Sequence, residues 1–192
     1  QEMFHQAYRS RLIAFDPSDG LKLPKNEKRS HRSITDEERT HILEVASYHP
    51  SGLWVLLILY TGLRPGEAAA LQWKDIDFDR NEIHVYKAIE SGTSTIKTPK
   101  TPAGIRDIPM RKDLRQLLWN SRGDPFSLLF PTRKGTIRSP TSVWKLWNSF
   151  AKELDLHMGA EEQDGKIVHH AIAPDLTLYC LRHTFCTDLQ RA

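Results

Sequence analysis

The segment from Thr61 to Glu67, with the sequence Thr-Gly-Leu-Arg-Pro-Gly-Glu, restricts the fold of this chain more than any other. An apolar run ends at its glycine, and Pro65 then suits the first position of a new helix, with Glu67 near the positive end of the helix dipole. Arg64 does not suit that place, since a cation at a helix N-terminus is misplaced by up to ~1 kcal/mol. Helix N-termini bind phosphates, and arginine adds a two-pronged contact. We therefore predict an anion site here, with phosphate as its ligand.

Composition limits the class of protein. The 192 residues are 39% hydrophobic and 27% charged, which is ordinary for a globular domain with an appendage. The net charge of +3 is compatible with nucleic-acid binding without establishing it. The longest apolar run, Leu53 to Tyr60, is too short to cross a membrane, and no signal-peptide pattern is present. No membrane partner is expected.

Cysteine and histidine usage adds two expectations. Cys180 and Cys186 lie six residues apart in one predicted helix, so they should not bridge, and a reduced cytoplasmic setting is expected. The nine histidines show no convincing metal-ligand spacing. We therefore expect neither a metal site nor a cofactor.

Hydrophobic periodicity predicts a mainly α fold with a small antiparallel β-sheet (α+β). Thr35 and Glu38 form a capping box that opens a helix running to about Ala46. A long polar loop is predicted over residues 157–175. The other predicted helices cover residues 1–14, 53–60, 68–73, 113–120, 142–154 and 177–190, and the predicted strands cover 82–86, 93–96 and 106–110.

Two basic tracts, residues 22–32 and 97–112, are the candidate nucleic-acid contacts. For either tract alone, a solvated surface run is the slightly better interpretation. The side chains expected to touch DNA are Lys25, Lys28, Arg29, Arg32, Lys97 and Arg106.

The last predicted helix carries a second unusual arginine. Leu178, Leu181, Phe185 and Leu189 form one apolar stripe, and Arg182 lies roughly 55° from its centre. A half-buried arginine needs an anion, which is either a carboxylate of the protein or a phosphate. His183 falls on the polar side.

Four motifs in order resemble the phage integrase (tyrosine recombinase) family: Thr-Gly-Leu-Arg-Pro-Gly-Glu, Leu71-x-Trp73-x-Asp75-Ile76-Asp77, Pro99-Lys100-Thr101 leading to Arg106-Asp107-Ile108-Pro109, and Leu181-Arg182-His183-Thr184-Phe185. The resemblance covers residues 34–192 as the catalytic domain. It implies that residues 1–20 are the end of a core-binding domain and that residues 21–33 are a basic interdomain linker.

The resemblance also implies roles. Arg64 and Arg182 would clamp the scissile DNA phosphate, and Lys100 would protonate the leaving 5′-hydroxyl, although Lys97 remains an alternative. Glu67 would brace the site and His183 would support it. Tyr179 stands where the family usually has histidine, which favours a phosphate contact over a base.

The family's nucleophilic tyrosine follows the second arginine, whereas this sequence stops ten residues after Arg182. We therefore expect a fragment without the nucleophile, which binds DNA phosphate but is inactive as it stands. The full-length protein would perform site-specific DNA recombination or integration through a covalent 3′-phosphotyrosine.

The expected partner is double-stranded DNA, on which the full-length protein would be a tetramer, with the fragment a monomer in a bacterial or phage-encoded cytoplasmic setting. A non-cleaving DNA-binding regulator, a type IB topoisomerase-like enzyme and a helical protein with purely structural arginines remain alternatives. The target site and the direction of reaction stay open.

Overall fold

The structure, a computed structural model, describes residues 2–21, 31–90, 95–98 and 104–191. The chain divides into two compact units, residues 1–30 and 31–192. The first unit contains helix α1, Glu2–Arg9, which is shorter than the predicted helix over residues 1–14. The turns that follow are held by Asp16, whose carboxylate accepts from the backbone N–H and the hydroxyl of Ser18.

The second unit is mainly helical, and its helices agree with most of the predicted ones. α2 begins where expected, because Thr35 and Glu38 form the predicted capping box. The helix predicted to start at Pro65 and to include residues 68–73 begins there but is wrong in its end: α4 already ends at Ala70, and a separate 3₁₀ turn covers Trp73–Asp75. The helices among the described residues of this unit are α2 (Asp36–Ala46), α3 (Gly52–Thr61), α4 (Pro65–Ala70), α5 (Lys112–Asn120), α6 (Pro140–His157) and α7 (Leu178–Arg191).

Helix α3 forms the centre of this unit. Trp54, Val55, Leu56 and Leu57 are all at most 7% exposed, although four successive residues point in every direction around the helix. A helix that is apolar on all sides must be covered on all sides. Helices α2, α5 and α7 pack around it and supply that cover.

Short antiparallel strands complete the unit, and they confirm the predicted fold class. Strands β1, β2 and β5 form one sheet in that order, with Ile83 of β2 opposite Ile108 of β5. Strands β3 and β4 pair separately, as do β6 and β7. The strands are β1 (Ile76–Asp77), β2 (Glu82–Val85), β3 (Ala88–Ile89), β4 (Ile96–Lys97), β5 (Arg106–Pro109), β6 (Glu161–Gln163) and β7 (Lys166–His169).

The hairpin of β6 and β7 shows that the predicted loop over residues 157–175 is wrong. Asp164 and Gly165 both have positive φ, 50° and 77°, as a two-residue hairpin turn with an Asp-Gly sequence requires. The buried carboxylate of Asp155 in α6 anchors the chain after the hairpin, because it accepts from the backbone N–H groups of Ala171 and Ile172.

Two further expectations concern the described residues only. No described helix is both long enough and apolar enough to cross a membrane. Cys180 is buried, Cys186 is exposed, and both are free thiols, as their spacing predicted.

Candidate functional site

The end of α3 and the middle of α7 meet at Gly62. This residue adopts a left-handed conformation with φ of 61°, which ends α3 and which glycine tolerates best. Its carbonyl accepts a hydrogen bond from the guanidinium of Arg182. A Cβ at this position would lie 2.3 Å from Cδ1 of Phe185, so only glycine allows α7 to approach so closely. Gly62 thereby brings Arg182 next to the turn that carries Arg64.

A buried carboxylate organises this turn. Glu67 is 3% exposed and accepts from the backbone N–H of Arg64 at 2.8 Å and from its Nη1 at 3.0 Å. Arg106 of β5 binds the same carboxylate at 2.9 and 3.3 Å. Burial alone would raise the pKa of Glu67, but the hydrogen bonds from Arg106 and Arg64 outweigh it and keep the pKa below its ordinary value. Glu67 is therefore an ionised brace for two arginines.

Arg182 is the least compensated cation of this group. Burial lowers its pKa, and the nearby positive charge of Arg64 lowers it further. Within the described ranges, no carboxylate forms an ion pair with Arg182. Three guanidinium groups thus surround the single carboxylate of Glu67, and the cluster carries an excess of two positive charges. Such an excess in a half-buried place is satisfied by an anion.

A groove of about 280 Å³ lies beside Arg64. Arg64 and Glu67 form one wall, and Ile89 of β3, Trp144 of α6 and Tyr179 of α7 contribute to the others. The groove therefore joins the charged cluster to an aromatic surface. Polar and aromatic groups converge here, as they do in sites that bind a charged group and stack on its neighbours.

Tyr179 lines the groove together with Arg64, and its phosphate-contacting role stays a prediction. Its ring stacks on His31 with centroids 5.1 Å apart and an interplanar angle of 19°. The remaining tyrosines of residues 31–90, 95–98 and 104–191 do not line the groove. Tyr48 bonds Glu153 and Tyr86 bonds Asp75.

The structure places the other predicted site residues unevenly. His183 is exposed on α7. Lys97 in β4 pairs with Glu90 at 2.7 Å. Arg32 forms ion pairs with two carboxylates, Glu38 at 2.7 Å and Asp175 at 2.9 Å, of which Asp175 lies just before α7. Its positive charge is therefore balanced within the protein. These contacts within the protein do not test whether Lys97 and Arg32 bind DNA, so DNA binding stays a prediction for both residues. Lys100, Lys25, Lys28 and Arg29 lie outside the described residues.

Sequence reasoning missed a buried lysine next to the groove. Lys87 is 8% exposed, and its ammonium lies 2.7 Å from Oδ2 of Asp75 and 2.7 Å from Oε1 of Gln72. β3, which lines the groove, follows it directly. The signal was present, because Ile83 and Val85 occupy the buried face of β2 and Lys87, two residues further on, continues their period of two.

The fold and the site together define a mainly helical domain in which Arg64 and Arg182 are brought together beside a groove lined by Arg64. The sequence profile of the phage integrase family matches residues 32–192, and the chain belongs to that family.

Known relatives agree. The chain is 26% identical over 203 residues to a XerC-like tyrosine recombinase of Caldanaerobacter subterraneus subsp. tengcongensis, covering 97% of this chain and 52% of the relative. It is 34% identical over 125 residues to the ICEBs1 integrase of Bacillus subtilis, covering 61% of this chain and 33% of the relative. The chain thus spans about half or less of the length of these curated relatives.

Solved structures show the same fold. The Tn1549 transposon integrase in complex with a circular intermediate DNA superposes with a TM-score of 0.73 at 23% identity, covering 99% of this chain and 63% of that one. The lambda integrase dimer bound to a COC′ core site gives a TM-score of 0.58 at 18% identity, with coverages of 97% and 62%. At these identities the likeness supports the fold alone.

Proposed function

We propose that this chain is the catalytic domain of a DNA-integrating tyrosine recombinase, and that Arg64 and Arg182 hold the scissile phosphate of double-stranded DNA. The observation that carries the proposal is the uncompensated charge: Arg182 is half-buried with no carboxylate partner among the described residues, and it lies near Arg64, which lines an open groove. A phosphodiester supplies the anion that this cleft lacks. Family membership supports the same ligand.

The chemistry follows from this placement. When an oxygen attacks a phosphodiester, negative charge builds up on the non-bridging oxygens, and two fixed guanidinium groups stabilise that charge more than the ground state. Glu67 keeps Arg64 in position and is itself ionised. Tyr179 lies where its hydroxyl donates to a phosphate oxygen without acting as a base.

The other parts of the reaction rest on the family resemblance. Lys100 protonates the leaving 5′-hydroxyl, and a tyrosine C-terminal to Arg182 attacks to give the 3′-phosphotyrosine. In the full-length protein, four copies on DNA exchange strands in the cytoplasm. The covalent intermediate conserves the energy of the phosphodiester, so that rejoining needs no external source.

Salt dependence tests the phosphate clamp. The affinity for duplex DNA should fall steeply as salt rises, and Arg64→Ala or Arg182→Ala should each reduce the slope of log K against log salt by about 1. Arg80→Ala is a matched control, since Arg80 is an exposed arginine, with a side chain 70% accessible, on the turn between β1 and β2. If the affinity for DNA does not change with salt, or if the salt slope is the same in all three variants, the interpretation that Arg64 and Arg182 are purely structural is favoured.

A covalent trap separates the recombinase from a regulator. The protein with its native downstream sequence is incubated with a nicked duplex, on which cleavage releases a short strand and the adduct accumulates. We expect an adduct in the wild type and none in Arg182→Ala. Salt-dependent binding without any adduct would identify a DNA-binding regulator that never cleaves.

A further inference from the structure

A second cluster of chemically capable side chains joins α2 to the end of α6. His41 and Glu44 are three residues apart on α2 and share one face of that helix. His157, the last residue of α6, approaches them, with its Nε2 2.9 Å from Oε2 of Glu44. Trp144, on the groove, lies thirteen residues earlier in α6, which is ~20 Å along the helix axis. The cluster is therefore separate from the arginine site.

The histidine of α2 lacks a hydrogen bond. Nδ1 of His41 is buried from solvent and has no hydrogen-bond partner, although Oε2 of Glu44 lies 3.5 Å away. The rings of His41 and His157 meet edge to face, with centroids 5.3 Å apart. Both histidines thus direct a nitrogen at the same carboxylate oxygen, and only His157 forms a hydrogen bond with it. A buried polar atom left unpaired is costly, so something else is needed to satisfy His41.

We propose that Nδ1 of His41, Oε2 of Glu44 and Nε2 of His157 form a binding site for a divalent transition metal, with Zn²⁺ as the best fit and water as the fourth ligand. The three atoms all lie within 4.8 Å of one another. Tetrahedral ligands at ~2.0–2.1 Å from zinc are ~3.4 Å apart. The separation of 3.5 Å between His41 and Glu44 already matches.

The chemistry of the donors selects the ion. Two imidazole nitrogens and one carboxylate oxygen suit Zn²⁺ and its neighbours, whereas Ca²⁺ and Mg²⁺ prefer oxygen alone. His157 and Glu44 need only small side-chain rotations to open their 2.9 Å contact, since both are partly exposed.

An ion in this place would cross-link α2 and α6, which pack against each other. Binding to the folded state alone raises its stability by mass action. At a free Zn²⁺ concentration ~100 times the Kd, we expect Tm to rise by ~5 °C or more for a protein of this size. Chelation should reverse the rise.

Titration of Zn²⁺ into the protein, freed of any histidine tag, tests the site by calorimetry. We expect one saturable equivalent, and with Co²⁺ in its place we expect the intense visible absorption of a tetrahedral complex. Glu44→Gln and His157→Ala should each weaken binding ~10-fold or more, because loss of a direct ligand costs at least as much as loss of an outer partner. Both positions are exposed, and circular dichroism checks that the variants are folded.

His169→Ala is the matched control. His169 forms an exposed pair with Glu161 at 3.0 Å, which offers the same donor types without a third ligand. It should leave the zinc affinity and the Co²⁺ spectrum unchanged. The proposal is overturned if no single equivalent binds, if Glu44→Gln and His157→Ala bind Zn²⁺ as the wild type does, or if the control loses affinity equally. In each case His157 and Glu44 form a simple ion pair.

Discussion

Replacing Gly62 with alanine tests how the two arginines are brought together. The residue has φ of 61°, and an L-residue in that conformation costs ~1–2 kcal/mol. The added Cβ would also lie 2.3 Å from Cδ1 of Phe185, so the aromatic ring or α7 must move. Overpacking of this kind costs ~1–3 kcal/mol. We therefore expect Gly62→Ala to lower the free energy of unfolding by ~2–5 kcal/mol.

Gly135 provides the control that separates the two costs. It has φ of 76°, but a Cβ there would meet nothing within 4 Å. Gly135→Ala should therefore lose only the backbone part, ~1–2 kcal/mol. Urea denaturation of both variants gives the difference, and thermal melts should follow at ~2–4 °C per kcal/mol.

The same substitution should affect binding. Since the Gly62 carbonyl accepts from Arg182, a displaced α7 moves that guanidinium away from the turn that carries Arg64. Gly62→Ala should then weaken duplex DNA binding and reduce its salt slope, while Gly135→Ala should do neither. Equal stability losses in the two variants would refute the steric argument. A larger loss in Gly62→Ala with unchanged DNA binding would refute the link between this contact and the phosphate clamp.

Two further predictions concern buried charges. Lys87→Met leaves the 2% exposed Asp75 without its cation and should lower the free energy of unfolding, measured by urea denaturation, by ~3 kcal/mol. Lys152→Met removes one partner of an exposed pair and should lower it by less than ~1 kcal/mol. Similar losses in the two variants would contradict the buried network. The hydrogen bond from Arg32 lowers the pKa of Glu38 below its ordinary 4.5, so the folded state holds this proton more weakly than the unfolded state. The resulting stability is present above pH 4.5 and is lost as the pH falls through the folded pKa. Stability measured against pH should therefore fall less steeply below pH 4.5 in Glu38→Gln than in the wild type, and identical profiles would contradict this linkage.

Local signals predicted most of the fold. The capping box at Thr35 fixed the start of α2, and the apolar run to Tyr60 identified the central helix, because both depend on neighbours in sequence. The hairpin over residues 161–169 was missed, since β6 is entirely polar and the two apolar residues of β7, Ile167 and Val168, are adjacent and do not alternate with polar ones. There the Asp-Gly turn was the stronger signal and the hydrophobic pattern the misleading one.

The site was predictable only in part. Arg64 and Arg182 were identified from an odd charge and a helical face, each a local property. Their meeting at Gly62 depends on a contact between residues 120 positions apart. The pairing of Arg106 with Glu67 joins residues 39 positions apart, and the tract that contains Arg106 gave no sign of it.

The ion pair between Arg106 and Glu67 determines how much positive charge of Arg64 and Arg182 stays uncompensated. If Glu67 bound Arg64 alone, the two would neutralise each other and leave little attraction for a phosphate. Arg106 instead contacts both carboxylate oxygens, at 2.9 and 3.3 Å, whereas Arg64 uses one side-chain nitrogen and keeps 59% of its side chain exposed. Glu67 is thus neutralised from the protein side, and the free donors of Arg64 face the groove. We infer that Arg106 contributes to anion binding as the counter-ion of Glu67, since that is what leaves Arg64 and Arg182 with a charge to satisfy.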